Sequence, residues 1–166
     1  DNTAYYQNRM NLNPLNHLDP IGFFVLYFVG FGWAKPVPVN MANLSNPRKD
    51  MMLVALAGPA SNIILAIIGA LIYNNIFISD QFAQGLYFFI YINVLLAMFN
   101  MIPIAPLDGS RILPLFIRDP RTLYQIEYYG PRILLGLIFI QLITRIPIIW
   151  SIIGFPVELI LSLLIG

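Results

Sequence analysis

An apolar stretch with no charged residue, residues 51–73, is the feature that most limits what this chain can fold into. About 20 consecutive apolar residues in a helix span the hydrocarbon core of a bilayer, so this stretch can cross a membrane with some tilt. The polar segment Asn46-Pro47-Arg48-Lys49-Asp50 stands directly before it. The stretch therefore predicts a membrane-spanning helix.

Further apolar stretches follow along the chain. Residues 83–104 predict a second span, and residues 130–154 form a third stretch that is interrupted at Arg145-Ile146-Pro147. Residues 156–165 form a short apolar tail, which predicts an interfacial segment or a partial span. The chain is 58% hydrophobic and 10% charged, whereas soluble domains carry about 25% charged residues. The sequence therefore predicts an integral membrane protein.

The length and the charge of the chain narrow the other possibilities. Its 166 residues allow one compact bundle, and we predict a single membrane-embedded domain over residues 1–166. A net charge of +1 gives no support for a nucleic-acid partner or an acidic partner. The chain has no cysteine, which excludes disulfides and cysteine-based metal sites.

The segment before the first clear span is harder to interpret. Residues 21–31 are apolar but too short for a full span, so a short helix, a re-entrant segment or a pair of membrane-embedded strands all remain open. In residues 32–39 the prolines forbid a helix, and Val37 and Val39 alternate with proline as in an edge strand. A plain interfacial loop fits these residues equally well. The predicted fold is an all-α membrane protein, a polytopic helix bundle with a short strand-like or re-entrant membrane loop.

Basic residues indicate how the bundle is oriented. Lys and Arg residues precede the first clear span and follow the second, and none occurs in residues 74–82. Basic loops stay on the cytoplasmic side of a membrane. This pattern predicts that residues 74–82 face away from the cytoplasm and that Asp108 lies on the cytoplasmic side.

Residues 100–109, Asn-Met-Ile-Pro-Ile-Ala-Pro-Leu-Asp-Gly, end the second apolar stretch with a carboxylate. Pro103 and Pro106 each remove a backbone donor and restrict the preceding residue. They predict a helix end, an unwound turn that presents Asp108, and a new start after Gly109. A carboxylate at the mouth of a hydrophobic segment usually faces a cavity, a partner or an ion. From these residues alone, a plain turn and a functional acid both remain open.

This segment resembles the Asn-x-x-Pro-x-x-x-Leu-Asp-Gly signature of site-2 proteases, the intramembrane zinc metalloproteases, at Asn100, Pro103, Leu107, Asp108 and Gly109. In that family the aspartate is the third zinc ligand, and a His-Glu-x-x-His helix supplies the other two ligands. The resemblance therefore implies that Asp108 is a metal ligand. It also implies that two histidine ligands for one Zn²⁺ ion lie shortly upstream of Asp1, so that the chain begins after its own zinc-binding helix.

Other family elements occur in the same order as in site-2 proteases. The matching residues are Asp1, Thr3, Ala4, Arg9, Asn13, Pro14 and Leu15, then His17, Asp19, Pro20 and Gly22, then Gly58, Pro59 and Asn62. His17 is the only histidine in the chain. A lone histidine can bind a metal, but relatives carry a histidine here that is not a ligand, and we do not count it as one.

The resemblance implies an enzyme that hydrolyses peptide bonds within or near transmembrane segments. In that reading Asn62 and Asn100 are catalytic-site groups that hold the substrate backbone or the developing oxyanion. The expected partners are a membrane-protein substrate and the lipid bilayer, in the plasma membrane of a prokaryote. Two other classes remain open, a non-catalytic membrane scaffold and a small transporter or channel subunit, in which unwound helices and intramembrane asparagines also occur.

Overall fold

The structure is a computed structural model. It describes residues 3–6, 11, 13–29, 32, 34–35, 39–40, 43–76 and 79–166. The chain separates into two compact units, Asp1–Pro47 and Arg48–Gly166. The assignment of one domain to residues 1–166 stays a prediction.

The first unit contains short helices. They are α1 (Thr3–Tyr6), a 3-10 helix (Pro14–Asn16) and α2 (Pro20–Val29). The Asp19 carboxylate accepts the Gly22 N–H at 2.9 Å and so caps the beginning of α2. Of the three alternatives for residues 21–31, the helix is confirmed as far as Val29, while residues 30 and 31 lie outside the described residues.

In the described part of this unit, extended backbone segments pair at one antiparallel bridge, between Leu18 and Ala34. The Lys35 N–H donates to the His17 carbonyl oxygen at 2.9 Å beside it. The bridge falls in the segment for which a strand-like or re-entrant loop was predicted. Val37, on which the strand prediction also depended, lies outside the described residues.

The second unit is built from four long helices. They are α3 (Pro47–Asn75), α4 (Asp80–Asn100), α5 (Pro120–Thr144) and α6 (Ile148–Ile165). Among the described residues, these four are long and apolar enough to cross a membrane. Large apolar side chains such as Phe139, Phe155 and Leu163 are exposed on them. Because lipid tails are as apolar as these side chains, the exposure fits a bilayer, and the prediction of an all-α polytopic bundle is confirmed.

The interior of this bundle is small and tightly packed. Its buried cluster includes Ala66 and Ala70 of α3, Val94 of α4 and Val157 of α6. A Cβ added to Gly69 would lie 2.9 Å from Ile90 Cγ1, so α3 approaches α4 more closely than any larger residue would allow. Small residues at such crossings are the usual means of helix packing in membranes.

The interruption predicted at Arg145-Ile146-Pro147 is confirmed. Helix α5 ends at Thr144, Arg145 adopts a left-handed backbone with φ 58°, and α6 begins at Ile148. The Gln141 side chain accepts the Ile149 N–H at 3.0 Å, which satisfies one backbone donor in the first turn of α6. The two helices therefore form an antiparallel hairpin with a short, hydrogen-bonded turn.

Three predicted boundaries are wrong. Helix α4 ends at Asn100 rather than at residue 104, because Pro103 and Pro106 follow so closely. Helix α5 begins at Pro120 rather than at residue 130, because Asp119 caps it with hydrogen bonds from the N–H groups of Arg121 and Thr122. Residues 156–165 are no separate tail, since α6 continues through Pro156. Membrane helices tolerate a proline where neighbouring groups replace the lost hydrogen bond.

Candidate metal site around Asp108

Asp108 lies where α4 has ended and a 3-10 helix, Asp108–Leu115, begins. Between them the backbone turns tightly, with the Ile104 N–H donating to the Ile102 carbonyl oxygen at 2.8 Å and the Leu107 N–H to that of Ile104 at 2.9 Å. The Ser110 hydroxyl donates to the Leu107 carbonyl oxygen at 2.7 Å. The predicted unwound turn that presents Asp108 is therefore confirmed.

Two glycines fix the backbone of this turn. A Cβ on Gly109 would collide with the Met101 carbonyl oxygen and would lie 2.6 Å from that of Ile102. A Cβ on Gly130 of α5 would lie 2.7 Å from the Ala105 Cβ and 2.8 Å from its carbonyl oxygen. Backbone atoms cannot move aside cheaply, so both positions require glycine. The turn is held from within by Gly109 and from α5 by Gly130.

A third glycine, Gly58 of α3, faces the Asp108 carboxylate itself. A Cβ on Gly58 would lie 3.3 Å from Asp108 Oδ2. That distance is slightly too short for ordinary contact, so an alanine there would displace the carboxylate by a few tenths of an ångström. The missing side chain of Gly58 therefore provides the space in which the carboxylate lies.

The carboxylate is half-buried, and its electrostatics reflect this position. Burial raises the pKa of Asp108 above the usual value for aspartate, and the guanidinium of Arg111 lowers it in part. The net direction is upward. Since burial penalises a charged carboxylate, a cation beside it would relieve the penalty.

The two predicted asparagines lie on the helices that flank this turn. Asn62 follows Gly58 by one helical turn of α3 and so projects from the same face. It is half-buried and makes no side-chain hydrogen bond to the described residues. Asn100 is the last residue of α4, and its amide Nδ2 donates to the Leu96 carbonyl oxygen at 3.0 Å. No hydrogen bond in the described part of the chain joins either asparagine to Asp108.

Among the described residues, Asp108 is the side chain at this turn that could bind a metal ion. A carboxylate oxygen is an ordinary zinc ligand. The Asp108 carboxylate faces Gly58 of α3 and is half-buried. No group of three His, Cys, Asp or Glu side chains comes together among the described residues. His17 belongs to the first unit, where its Nε2 lies 2.8 Å from the Asn11 carbonyl oxygen. Asp108 thus fits a zinc site as one ligand of a larger set.

A cavity of about 300 Å³ lies on the other side of the same turn, between the turn and α5. It is lined by Pro103, Ile104, Ala105, Thr122, Gln125, Ile126, Tyr129, Gly130 and Ile133. Gly130 therefore both holds the turn and borders this cavity. The sequence analysis did not single out Gly130, although an isolated glycine in a helical pattern indicates a close approach of backbone.

Comparison with known proteins agrees with this geometry. The model of peptidase family M50 matches residues 73–140, which include α4, Asp108 and Gly130. The Bacillus subtilis (strain 168) protein named "Putative zinc metalloprotease YwhC" is 43% identical over 143 residues, 78% of this chain and 64% of that protein. The chain is similar to peptidase family M50 over these residues. The predicted resemblance to the site-2 protease family is thereby confirmed.

The chain spans 64% of the length of this curated relative. No solved structure matches it. The M50 match covers α4, the turn that presents Asp108 and most of α5.

Proposed function

We propose that this chain forms part of an intramembrane zinc metalloprotease of the site-2 type, in which Asp108 is a zinc ligand. One observation carries the proposal: the Asp108 carboxylate is presented by an unwound turn and lies in a space left by Gly58 of α3. One glycine leaves room for the carboxylate and two more leave room for its turn, and the three lie on three different elements. A plain helix end does not require such an arrangement. The match to peptidase family M50 over residues 73–140 and the four apolar helices agree with this proposal.

Each polar residue has a definite role in this proposal. A bound zinc ion would supply a Lewis acid that activates water for peptide-bond hydrolysis. Asp108 would hold the ion with two histidines from elsewhere in the whole protein. Asn62, without a hydrogen-bond partner in the described residues, would hold the substrate backbone. Asn100, whose amide nitrogen is already engaged, would offer its Oδ1 oxygen to a substrate N–H group.

The substrate class follows from where the site lies. Asp108 lies between α4 and α5 in a bundle of four helices that are apolar enough to lie in a bilayer, so the substrate would be a membrane protein cleaved within or near a transmembrane segment. Water reaches such a depth only through polar cavities, and an extended substrate exposes backbone groups that polar side chains must satisfy. We place the enzyme in the plasma membrane of a prokaryote, in agreement with its bacterial relative.

The proposal is tested with Asp108→Asn in the whole protein. Asparagine keeps the size of the side chain but removes the charge that helps to hold a divalent ion. We expect bound zinc, measured by mass spectrometry of the purified protein, to fall well below one per chain. Cleavage of a single-span substrate in liposomes should fall by orders of magnitude. Asp119→Asn is the matched control, because it removes a nearby charge and keeps a residue that caps α5.

The outcomes separate the alternatives. Full zinc content and full cleavage by Asp108→Asn would remove Asp108 from the metal site and leave the turn as a purely structural element. A whole wild-type protein that binds zinc but cleaves no substrate would favour the membrane scaffold. A thermal melt of each variant guards against misfolding, and Asp108→Asn should fold normally because it removes a charge from membrane depth.

A further inference from the structure

Glu158 is a charged residue in the middle of an apolar membrane helix. It lies in α6, between Val157 and Leu159, and its side chain is exposed. It makes no hydrogen bond or ion pair with the described residues. Carboxylates inside membrane spans nearly always face a protein interior, a water-filled cavity or a partner group. A glutamate side chain is also too short to reach the membrane surface, so an outward Glu158 calls for a partner.

Arg132 is the corresponding cation on the neighbouring helix. It projects from the exposed face of α5, with its guanidinium 4.0 Å from the centre of the Tyr128 ring. Its Nη1 donates to the Tyr128 carbonyl oxygen. No carboxylate of the described residues pairs with it. The guanidinium therefore keeps most of its hydrogen-bond donors available.

The two charges lie at the same depth in the hairpin. With a rise of 1.5 Å per residue, Arg132 is about 18 Å from the end of α5 and Glu158 is about 15 Å from the beginning of α6. Because α5 and α6 run antiparallel from the turn at Arg145, these distances are measured from the same side of the membrane. Both charges thus lie about equally far from the turn, within the length of helix that crosses a hydrocarbon core about 30 Å thick.

The residues around the two charges also correspond. On α5, Tyr128, Arg132 and Phe139 lie on one exposed stripe, at spacings of four and seven residues. On α6, Ser151, Glu158 and Ser162 lie on one exposed stripe with the same spacings in reverse order. In an antiparallel pair of helices, Tyr128 then lies level with Ser162, and Phe139 lies level with Ser151. Each large aromatic side chain is matched by a small one.

We propose that copies of this chain associate in the membrane through these stripes, with α5 of one copy against α6 of another and Arg132 paired with Glu158 across the interface. Copies inserted in the same direction keep α5 and α6 antiparallel, so the levels match between copies as they do within one. Each charge neutralises the other inside the membrane. The small serine side chains let the opposing aromatic side chains pack close to α6. The inference rests on no part of the proposed function.

Disulfide cross-linking tests the interface directly, because the chain has no cysteine of its own. Chains that carry Phe139→Cys are co-expressed in bacterial membranes with chains that carry Ser151→Cys, and the membranes are oxidised. We expect a disulfide-linked pair that contains one chain of each kind. Leu163→Cys is the matched partner control, since Leu163 is exposed on the far edge of the same helix. Its mixture with Phe139→Cys should remain uncross-linked.

Charge reversal then tests whether Arg132 and Glu158 hold the interface. Arg132→Glu or Glu158→Arg in both chains should abolish most of the Phe139→Cys to Ser151→Cys cross-link, because each places like charges opposite one another. The double variant, with both reversals in each chain, should restore it. That recovery also excludes misfolding as the cause of the loss. A cross-link that survives the single reversals, or its absence in the parent chains, would overturn the proposal.

Discussion

Replacing Gly58 by alanine should separate the stability of the protein from its metal binding. The new Cβ would lie 3.3 Å from Asp108 Oδ2, so the carboxylate has to shift by a few tenths of an ångström. Among the described residues, nothing else comes within 4 Å of that Cβ. The substitution therefore acts on one functional group.

The two effects have opposite signs and can be estimated. Glycine inside a helix is about 1 kcal/mol less favourable than alanine, so Gly58→Ala should leave the unfolding free energy equal or slightly higher. Metal–ligand distances vary by only about 0.2 Å in well-formed sites, and the expected shift of the carboxylate is as large. Changes that reorient a ligand typically cost about 10- to 100-fold in metal affinity or activity. We expect a loss of that size in zinc affinity and in cleavage.

The assay compares Gly58→Ala with Gly136→Ala in the whole protein. A Cβ on Gly136 meets nothing within 4 Å in the described part of the chain. This variant of α5 therefore has the same gain in helix propensity without touching the site. Zinc affinity is measured by competition with a chelator, cleavage with a single-span substrate, and stability by thermal denaturation. Gly136→Ala should match the wild type in the first two measurements. If Gly58→Ala binds zinc and cleaves as well as Gly136→Ala does, the contact between Gly58 and Asp108 does not position a ligand.

Further predictions concern topology, metal content and pH. A cysteine introduced as Asp80→Cys should react with an impermeant reagent in intact cells, and labelling only after the membrane is opened would reverse the orientation. The 166 residues by themselves should bind zinc weakly, because their described part offers one carboxylate ligand; one tightly bound zinc per purified chain would contradict this. Hydrogen bonds to the Asp119 carboxylate lower its pKa, the largest effect coming from the Thr122 hydroxyl and smaller ones from the Thr122 and Arg121 N–H groups. The cap should therefore stabilise α5 at pH values above the usual aspartate pKa and weaken as the pH falls through the lowered pKa. Hydrogen exchange of the first turn of α5 would detect this pH dependence, and Asp119→Asn should abolish it.

Local sequence rules predicted much of the bundle. The apolar stretches located α3, α4 and the α5–α6 hairpin, and Pro103 and Pro106 correctly ended α4 before Asp108. Helix α5 was predicted too short because its first turns are polar and aromatic rather than apolar. A hydropathy pattern does not register a helix that continues beyond the apolar core, whereas the Asp119-Pro120 cap would have indicated it.

The contacts that shape the candidate site could not be predicted in the same way. Gly58 and Asp108 are far apart in sequence, and so are Ala105 and Gly130, so only the packing of α3 and α5 against the turn brings them together. Family resemblance named Asp108, Asn62 and Asn100 without showing which backbone holds them. Glu158 is visible in the sequence as a single charge within an apolar stretch, but the protease signature ends before α6 and gives it no role.

Pro59 makes α3 softest at the point where the helix meets Asp108. It lies inside α3 directly after Gly58 and has no N–H group, so the Ala55 carbonyl oxygen loses its helical hydrogen bond. Helices bend most easily at such a position. The deformation of α3 that costs the least free energy is therefore a bend beside the carboxylate, rather than a tilt of the whole helix. We therefore expect a bend of α3 at Pro59 to widen or narrow the gap that Gly58 leaves for the Asp108 carboxylate.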